Sequence, residues 1–364
     1  MEHSGILEQD LVYVWNTLTD SEKSALNGST VLITGCGGFL GQFHLSFYEK
    51  YANKLQLKKV IGIDNFMLGK SPLIKKLSGN PLFDIYEMDV ADFNDQHLGD
   101  KYSVDYIIHM ASIASPTYYR LHPLETVDSN IRGLRTLLET FSPKKIKGFL
   151  FYSSSEIYGD PDNAMVPTPE TYWGTVSCVG PRACYDESKR FGETLCYIYN
   201  KLYNIPISIV RLFNVYGPGL KLNDRRAPAD FANAILRNED ISIFSNGQPT
   251  RTFCYVADSF IGELKAMLYG KFEVFNIGIS EPEISIREFA ELFKEVGEEM
   301  LHYSGKIQFK TSDDKEYLTH DPERRSPDIT KAKTLLHFYP QIDVHVGVSR
   351  YLRYLREEEG NVVW

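Results

Sequence analysis

The chain lacks the marks of several protein classes. Its 364 residues hold five cysteines, Cys36, Cys178, Cys184, Cys196 and Cys254. None forms a C-x-x-C pair, and an odd count cannot pair off within one chain. That argues against a disulfide scaffold or a zinc ribbon and for free thiols in a reducing compartment. No metal site is expected. No apolar run approaches the ~18 residues of a membrane span. The opening Met1-Glu2-His3-Ser4 has no basic region, and no apolar core of signal length follows it. The expectation is a cytoplasmic protein with no membrane partner. Basic residues are the minority, 39 Lys and Arg against 48 Asp and Glu, for a formal net charge of -9. A general nucleic-acid binder would show a basic excess or stripe, so nucleic acid is not an expected partner. An anionic small ligand stays compatible with this balance, because a few local arginines can hold one. Internal repeats and low-complexity tracts are also absent.

The length suggests about two domains. Leu7, Leu11, Val14 or Trp15, and Leu18 recur at helical spacing, predicting a short amphipathic helix before Asn27-Gly28-Ser29. Apolar, strand-like runs follow at Val31–Thr34, Val60–Ile63, Asp84–Met88, Tyr106–His109, Phe149–Tyr152 and Ile207–Leu212. Segments 39–52, 121–141 and 182–203 between them read as helices. This alternation predicts an α/β protein: a Rossmann-type, doubly wound parallel sheet covered on both faces. After Asn214-Val215-Tyr216-Gly217-Pro218-Gly219 the rhythm becomes less regular. The expected organisation is a helical extension over 1–28 and a dinucleotide domain over 29–213, joined again by 252–280. Segments 214–251 and 281–364 would form a smaller C-terminal α/β substrate region. The connection Tyr51–Lys58 reads as a surface insertion, and Trp173 as core or cleft wall.

Gly35-Cys36-Gly37-Gly38-Phe39-Leu40-Gly41 lies between a buried strand and a helical pattern. Gly35, Gly38 and Gly41 fall at three-residue spacing. Such a turn needs glycine where φ is positive and where backbone must approach a pyrophosphate. The helix start then offers N–H groups to the phosphates. Asp64 ends the next strand, near the ~20-residue distance expected of a ribose-binding acid. A carboxylate there accepts hydrogen bonds from ribose hydroxyls and repels a 2′-phosphate, which favours NAD over NADP. Tyr185 and Lys189 stand four apart in a helical segment and share a face. An ammonium beside a phenol favours the phenolate, so Tyr185 is expected to titrate lower and serve as a general base. Phe151-Tyr152-Ser153-Ser154-Ser155-Glu156 would bring a hydroxyl and a carboxylate to the same sheet edge.

Several further segments carry a resemblance. They include His109-Met110-Ala111-Ser112-Ile113-Ala114-Ser115-Pro116, Ser154-Ser155-Glu156-Ile157-Tyr158-Gly159-Asp160-Pro161 and Tyr172-Trp173-Gly174. The strongest is Gly180-Pro181-Arg182-Ala183-Cys184-Tyr185-Asp186-Glu187-Ser188-Lys189-Arg190. Arg211-Leu212-Phe213-Asn214, Thr250-Arg251-Thr252-Phe253 and Arg325-Ser326-Pro327-Asp328-Ile329 follow in order. From about Ser29 to Glu357 the chain resembles the extended short-chain dehydrogenases/reductases that act on nucleotide sugars, and among them the UDP-glucuronate decarboxylases.

The resemblance implies a tightly held, recycled NAD and a nucleotide-diphosphate sugar as substrate, with a homodimer built on the Tyr185 helix. It implies catalytic roles for Tyr185, Lys189, Ser154, Glu156 and Arg325. The cofactor would be met by Gly35, Gly38, Phe39, Leu40, Gly41, Asp64, Asn65, Asp89, Val90, Met110, Ser112, Ser129, Tyr185 and Lys189. The sugar nucleotide would be met by Ser115, Asn214, Tyr216, Arg226, Arg251 and Arg325. Oxidation at C4 would turn the sugar into a β-keto acid that loses CO2. Two sister activities, 4,6-dehydration and 4-epimerisation, and an idle NAD-binding regulatory protein are the alternatives. The dehydratases carry Asp where this chain has Ser155, which cannot replace it as a general acid. The epimerases usually lack a carboxylate at the position of Glu156. Asp128 departs from the lysine usual in the decarboxylases.

Overall fold

Seven parallel strands form the central sheet of the computed structural model, which describes residues 5–94, 101–316 and 318–361. In chain order they begin with β1 (Thr30–Thr34), β2 (Lys59–Asp64) and β3 (Phe83–Glu87). Then come β4 (Tyr106–His109), β5 (Gly148–Ser154) and β6 (Ile207–Leu212), and finally Glu273–Ile277. β1 pairs with β2 on one side and β4 on the other. The chain therefore winds outward through β2 and β3, returns to β4, and winds outward again through β5, β6 and Glu273–Ile277. The reversal between β1 and β4 opens a crevice at the C-terminal strand ends, where open α/β sheets bind ligands. β1 and β5 are buried along their whole length, as a sheet covered on both faces requires.

The predicted strands and helices are present within a residue or two at most ends, with one change of form. The 121–141 helix is three pieces: Pro123–Val127, a wider π-type turn over Asp128–Gly133, and Leu134–Phe141. Pro123 starts a new helix because it cannot continue the preceding Pro116–Leu121 segment. Gly133 then lies against Val90, where an added Cβ would come within 2.6 Å of the valine methyl.

The helices Ile6–Thr17 and Asp20–Leu26 pack onto the body, the second opened by a Thr19–Glu22 capping box. Buried Asp10 accepts from Arg350 and from the Tyr255 hydroxyl, while Tyr13 donates to Asp258 at 2.6 Å. The Tyr51–Lys58 connection is no surface insertion. Leu55 and Leu57 are buried, and the Leu55 carbonyl accepts from Gly28 N–H at 2.9 Å. Its apolar residues fill the seam that the N-terminal helices create.

Beyond β6, the helix Ala227–Leu236 packs against Ile286–Leu301, which packs in turn against the C-terminal helix Val344–Asn361, with several short strand pairs alongside. Tyr216, Phe231, Phe253, Tyr255, Phe289 and Phe293 form an aromatic core there, with Phe253 stacked on Phe289 at 3.6 Å.

Candidate active site

One cavity of about 420 Å³ runs along the crevice from the glycine turn to the aromatic region. It is lined by every residue expected at the site except Tyr216. Tyr216 is fully buried in the aromatic core and donates to the Val344 carbonyl at 3.1 Å, so it supports the wall from behind. Its neighbour Val215 faces the cavity instead, because alternate residues of an extended segment point to opposite sides. Trp173 is also displaced from its expected place, being 90% exposed on the surface. Asp128 is exposed and outside the cavity lining.

The dinucleotide half is made largely of backbone. Gly35 has φ +75°, and a Cβ on it would sit 2.8 Å from the Ala111 backbone. A Cβ on Gly41 would lie 2.2 Å from the Gly35 carbonyl oxygen. The first helical bond runs from Gln42 N–H to the Gly38 carbonyl at 3.0 Å. The N–H groups of Phe39, Leu40 and Gly41 thus precede any intrahelical acceptor and line the cavity. Asp64 accepts from Gly37 N–H at 2.8 Å and Phe66 N–H at 2.7 Å. Burial raises its carboxyl above the usual range, against those two bonds. Asn65 donates to Asp89 at 3.0 Å, and the buried Ser112 hydroxyl lacks a partner among the described residues. A glycine cradle, free helix-start donors, a strand-end acid and an orphaned hydroxyl together fit a dinucleotide such as NAD.

The reacting half is built from side chains. Tyr185 and Lys189 lie on the Ala183–Tyr203 helix, both buried. Lys189 donates to the Tyr152 carbonyl at 2.7 Å, and its ammonium lies 5.7 Å from the centre of the Tyr185 ring. The expected lowering of the Tyr185 pKa is not found. Burial pushes the phenol up to about 12, with the Ser154 hydroxyl acting against that rise. Burial likewise pushes the Lys189 ammonium down to about 7. Low-dielectric surroundings outweigh their mutual influence.

Glu156 follows Ser154 on a short turn, its N–H donating to the Ser154 hydroxyl at 3.2 Å. Arg325 grips its carboxylate with two N–H groups, one at 2.6 Å, and Arg182 donates to the same carboxylate. Burial alone would raise the Glu156 carboxyl, but the two guanidiniums outweigh it and hold it well below the carboxylate range. Asp321 bridges Arg182 at 3.4 Å and Arg251 at 3.1 Å. Asp186 stands 3.6 Å from Arg182, and burial, reinforced by Glu156, raises its carboxyl to about 7. The arginines expected to grip diphosphate are therefore already engaged: Arg251 by Asp321, and Arg226 by Asp224 at 2.9 Å. Ser115 donates to the Asp224 carbonyl at 2.6 Å, and Asn214 to the Thr252 carbonyl at 2.9 Å.

Arg182, Asp186 and Asp321 were not foreseen as site residues. Arg182 sits three places before Tyr185 in the strongest motif, yet nothing local says that its partner is Glu156. Asp321 carries no sequence signal.

Comparison with known proteins follows the same lines. The family model described as the NAD dependent epimerase/dehydratase family matches residues 31–278. UDP-glucuronic acid decarboxylase 1 of Xenopus tropicalis is 35% identical over 332 residues, covering 90% of this chain and 72% of that protein. UDP-glucuronic acid decarboxylase 5 of Arabidopsis thaliana is 35% identical over 329 residues, covering 90% and 89%. Among solved structures, UDP-glucose 4-epimerase of Thermotoga maritima with UDP-glucose superposes with a TM-score of 0.77. It is 26% identical, covering 91% of this chain and 99% of that one. UDP-glucuronic acid 4-epimerase of Bacillus cereus, in complex with UDP-glucuronic acid and NAD, gives 0.71 at 28% identity, covering 90% and 99%.

Proposed function

The chain belongs to the NAD dependent epimerase/dehydratase family, and from that premise we propose that it decarboxylates a nucleotide-linked uronic acid, of the UDP-glucuronate to UDP-xylose type, through a 4-keto sugar. The observation that carries this reading is Glu156, clamped by Arg182 and Arg325, beside Ser154 and Tyr185. A charged cluster at that place suits a reaction that works at the sugar's C5 carboxylate.

When bound, NAD supplies a hydride acceptor that can return the hydride, and in its oxidised form a positive charge. The glycine turn, Asp64 and Ser112 would hold it. Tyr185 takes the proton from the C4 hydroxyl while Ser154 hydrogen-bonds that oxygen. Lys189, fixed by the Tyr152 carbonyl, keeps a donor beside the phenol. The carboxylate of the resulting 4-keto sugar is β to the ketone. Its C–C bond breaks with the electron pair passing to the ketone oxygen as an enolate, and CO2 departs. The enolate takes a proton from water at C5, the hydride returns to C4, and Tyr185 gives its proton back to the C4 oxygen. Arg325 and Arg182 fix Glu156 as an anion, so Glu156 acts by orienting groups at C5.

Dehydration is disfavoured by Ser155, a buried hydroxyl in place of an acid. Retention of the carboxylate with inversion at C4 is the second reading, favoured by the likeness to UDP-glucuronic acid 4-epimerase of Bacillus cereus. Incubating pure protein with UDP-glucuronate and a panel of other nucleotide uronates and hexoses decides among them by mass spectrometry. Loss of CO2 is expected; unchanged mass with inverted C4, or loss of water, overturns the proposal.

A homodimer through the Tyr185 helix is part of this reading. Leu121, Leu124, Phe191, Leu202 and Tyr203 are exposed on that helix and the segments before it. Light scattering of the pure protein tests it, and a monomer refutes it. A cytoplasmic location is part of the same proposal, suggested by five cysteines with no C-x-x-C pair.

A further inference from the structure

Residues 217–226 leave the sheet after β6 and cross beside the dinucleotide half of the cavity. Gly217 and Gly219 have φ +135° and +95°, which lets the chain turn sharply around Pro218. A Cβ on Gly219 would lie 3.2 Å from the Phe39 carbonyl oxygen, so this strap rests on the first turn of the phosphate-facing helix Phe39–Tyr51. Its base is pinned by the Tyr351 hydroxyl, which donates to the Leu220 carbonyl at 3.0 Å.

From there the strap ties both walls of the crevice. On one side Lys221 extends its ammonium to the Leu68 carbonyl at 2.6 Å. On the other, the Tyr118 hydroxyl donates to the Asn223 carbonyl at 2.8 Å and Ser115 donates to the Asp224 carbonyl. Leu68 belongs to the outer wall over 64–69, whose residues all line the cavity. Phe66 is buried in the core and seats the base of this wall, whereas Met67 and Leu68 at its tip are exposed, so little packing holds the tip. The Lys221 bond joins its tip to the substrate region. The half-buried ammonium also lies close enough to Asp64 for the two charges to attract.

We infer that Lys221 is a positioning residue for the cofactor: it latches the 64–69 wall to the strap, and this latch must open before the dinucleotide can leave. The inference rests on the reading that the cavity holds NAD. It assigns retention of the cofactor to a residue that touches no reacting atom.

The test uses the full chain, loaded with NAD and passed through gel filtration, with nucleotide content read by absorbance and by mass after denaturation. Lys221→Met should release NAD about ten-fold faster than wild type, the size expected for losing one charge-assisted bond. Lys221→Arg, which keeps the charge and the reach, should restore most of the retention. Tyr118→Phe removes the anchor on the other wall by a single atom and should speed release in the same direction. It carries the test if Lys221→Met does not fold. Release rates equal to wild type in Tyr118→Phe and in folded Lys221→Met overturn the latch. A wild type that takes up no NAD overturns the cofactor reading itself, and the latch with it.

Discussion

The two halves of the crevice are built in opposite ways. The dinucleotide half is local: Gly35 to Gly41 is one strand-to-helix turn, and Asp64 reaches back to it through Gly37 N–H. Its donors are backbone groups, and its shape depends on places where a Cβ would not fit. The reacting half is assembled from distant parts of the chain. Glu156, Arg182, Arg251, Asp321 and Arg325 meet only after the sheet, the Tyr185 helix and the final strand pairs have formed. A backbone site is prepared by the fold alone. A side-chain site of buried charges stands only if every partner is present, because an unpaired buried ion is costly.

The largest effect should come from the reacting half. Tyr185→Phe removes the proton acceptor and should lower turnover by ~10²–10⁴-fold. The NAD carried by the protein should stay at the wild-type level, since the backbone cradle is untouched. Loss of both would show that the halves are not separable. Next, Arg182→Met leaves Glu156 with one guanidinium and Asp321 with Arg251 alone. Breaking such a buried pair costs about 3 kcal/mol, to be read by chemical denaturation. A variant as stable as wild type would mean that Arg182 holds nothing up.

The same contrast explains what could be read from the sequence. A glycine turn between a strand and a helix is a contiguous pattern, and the alternation of apolar strands with helices is periodic. Both were legible, as were Tyr185 and Lys189 at helical spacing. The Glu156–Arg182–Asp321 chain was not, because it pairs residues from three separate segments. Tyr216 failed for a related reason. Its neighbour Val215 faces the cavity, but one step along an extended segment turns its ring into the aromatic core. The Tyr185 phenol is raised where spacing alone points to a lowering, because spacing shows which charges are near and hides how much water they have lost.

A smaller effect should separate the glycines. At Gly41 an added Cβ meets the Gly35 carbonyl oxygen at 2.2 Å, and backbone must move. At Gly38 the same atom is met at 3.3 Å, so a slight shift suffices. Gly41→Ala should therefore weaken NAD binding by about ten-fold, an energy near that of one hydrogen bond. Gly38→Ala should fall well short of that. Titration of each variant with NAD measures both, and equal losses would show that the turn is not shaped by the Gly35–Gly41 contact.

The effect furthest from turnover is a pH dependence carried by Lys189. Its ammonium is pushed down to about 7 by burial, against a usual value of 10.5. Below pH 7 it is charged in both folded and unfolded chains, and the folded chain bears the full cost of burying that charge. Between pH 7 and 10.5 the unfolded chain binds more protons, so this group makes stability rise with pH. Lys189→Met lacks the titration and keeps only a constant loss from the freed Tyr152 carbonyl. The variant's stability relative to wild type should therefore be highest at or below pH 7 and decline as pH climbs toward 10.5. Tyr185 works in the next window up. With its phenol raised to about 12, its contribution is full below the usual value of 10 and is lost as pH rises through 12. Tyr185→Phe should thus match wild type in slope across pH 7–10, where Lys189→Met diverges from it. Denaturation curves at a series of pH values measure all three proteins. A flat difference for Lys189→Met would mean that the lysine keeps its ordinary charge inside the fold, and that burial does not govern this side of the crevice.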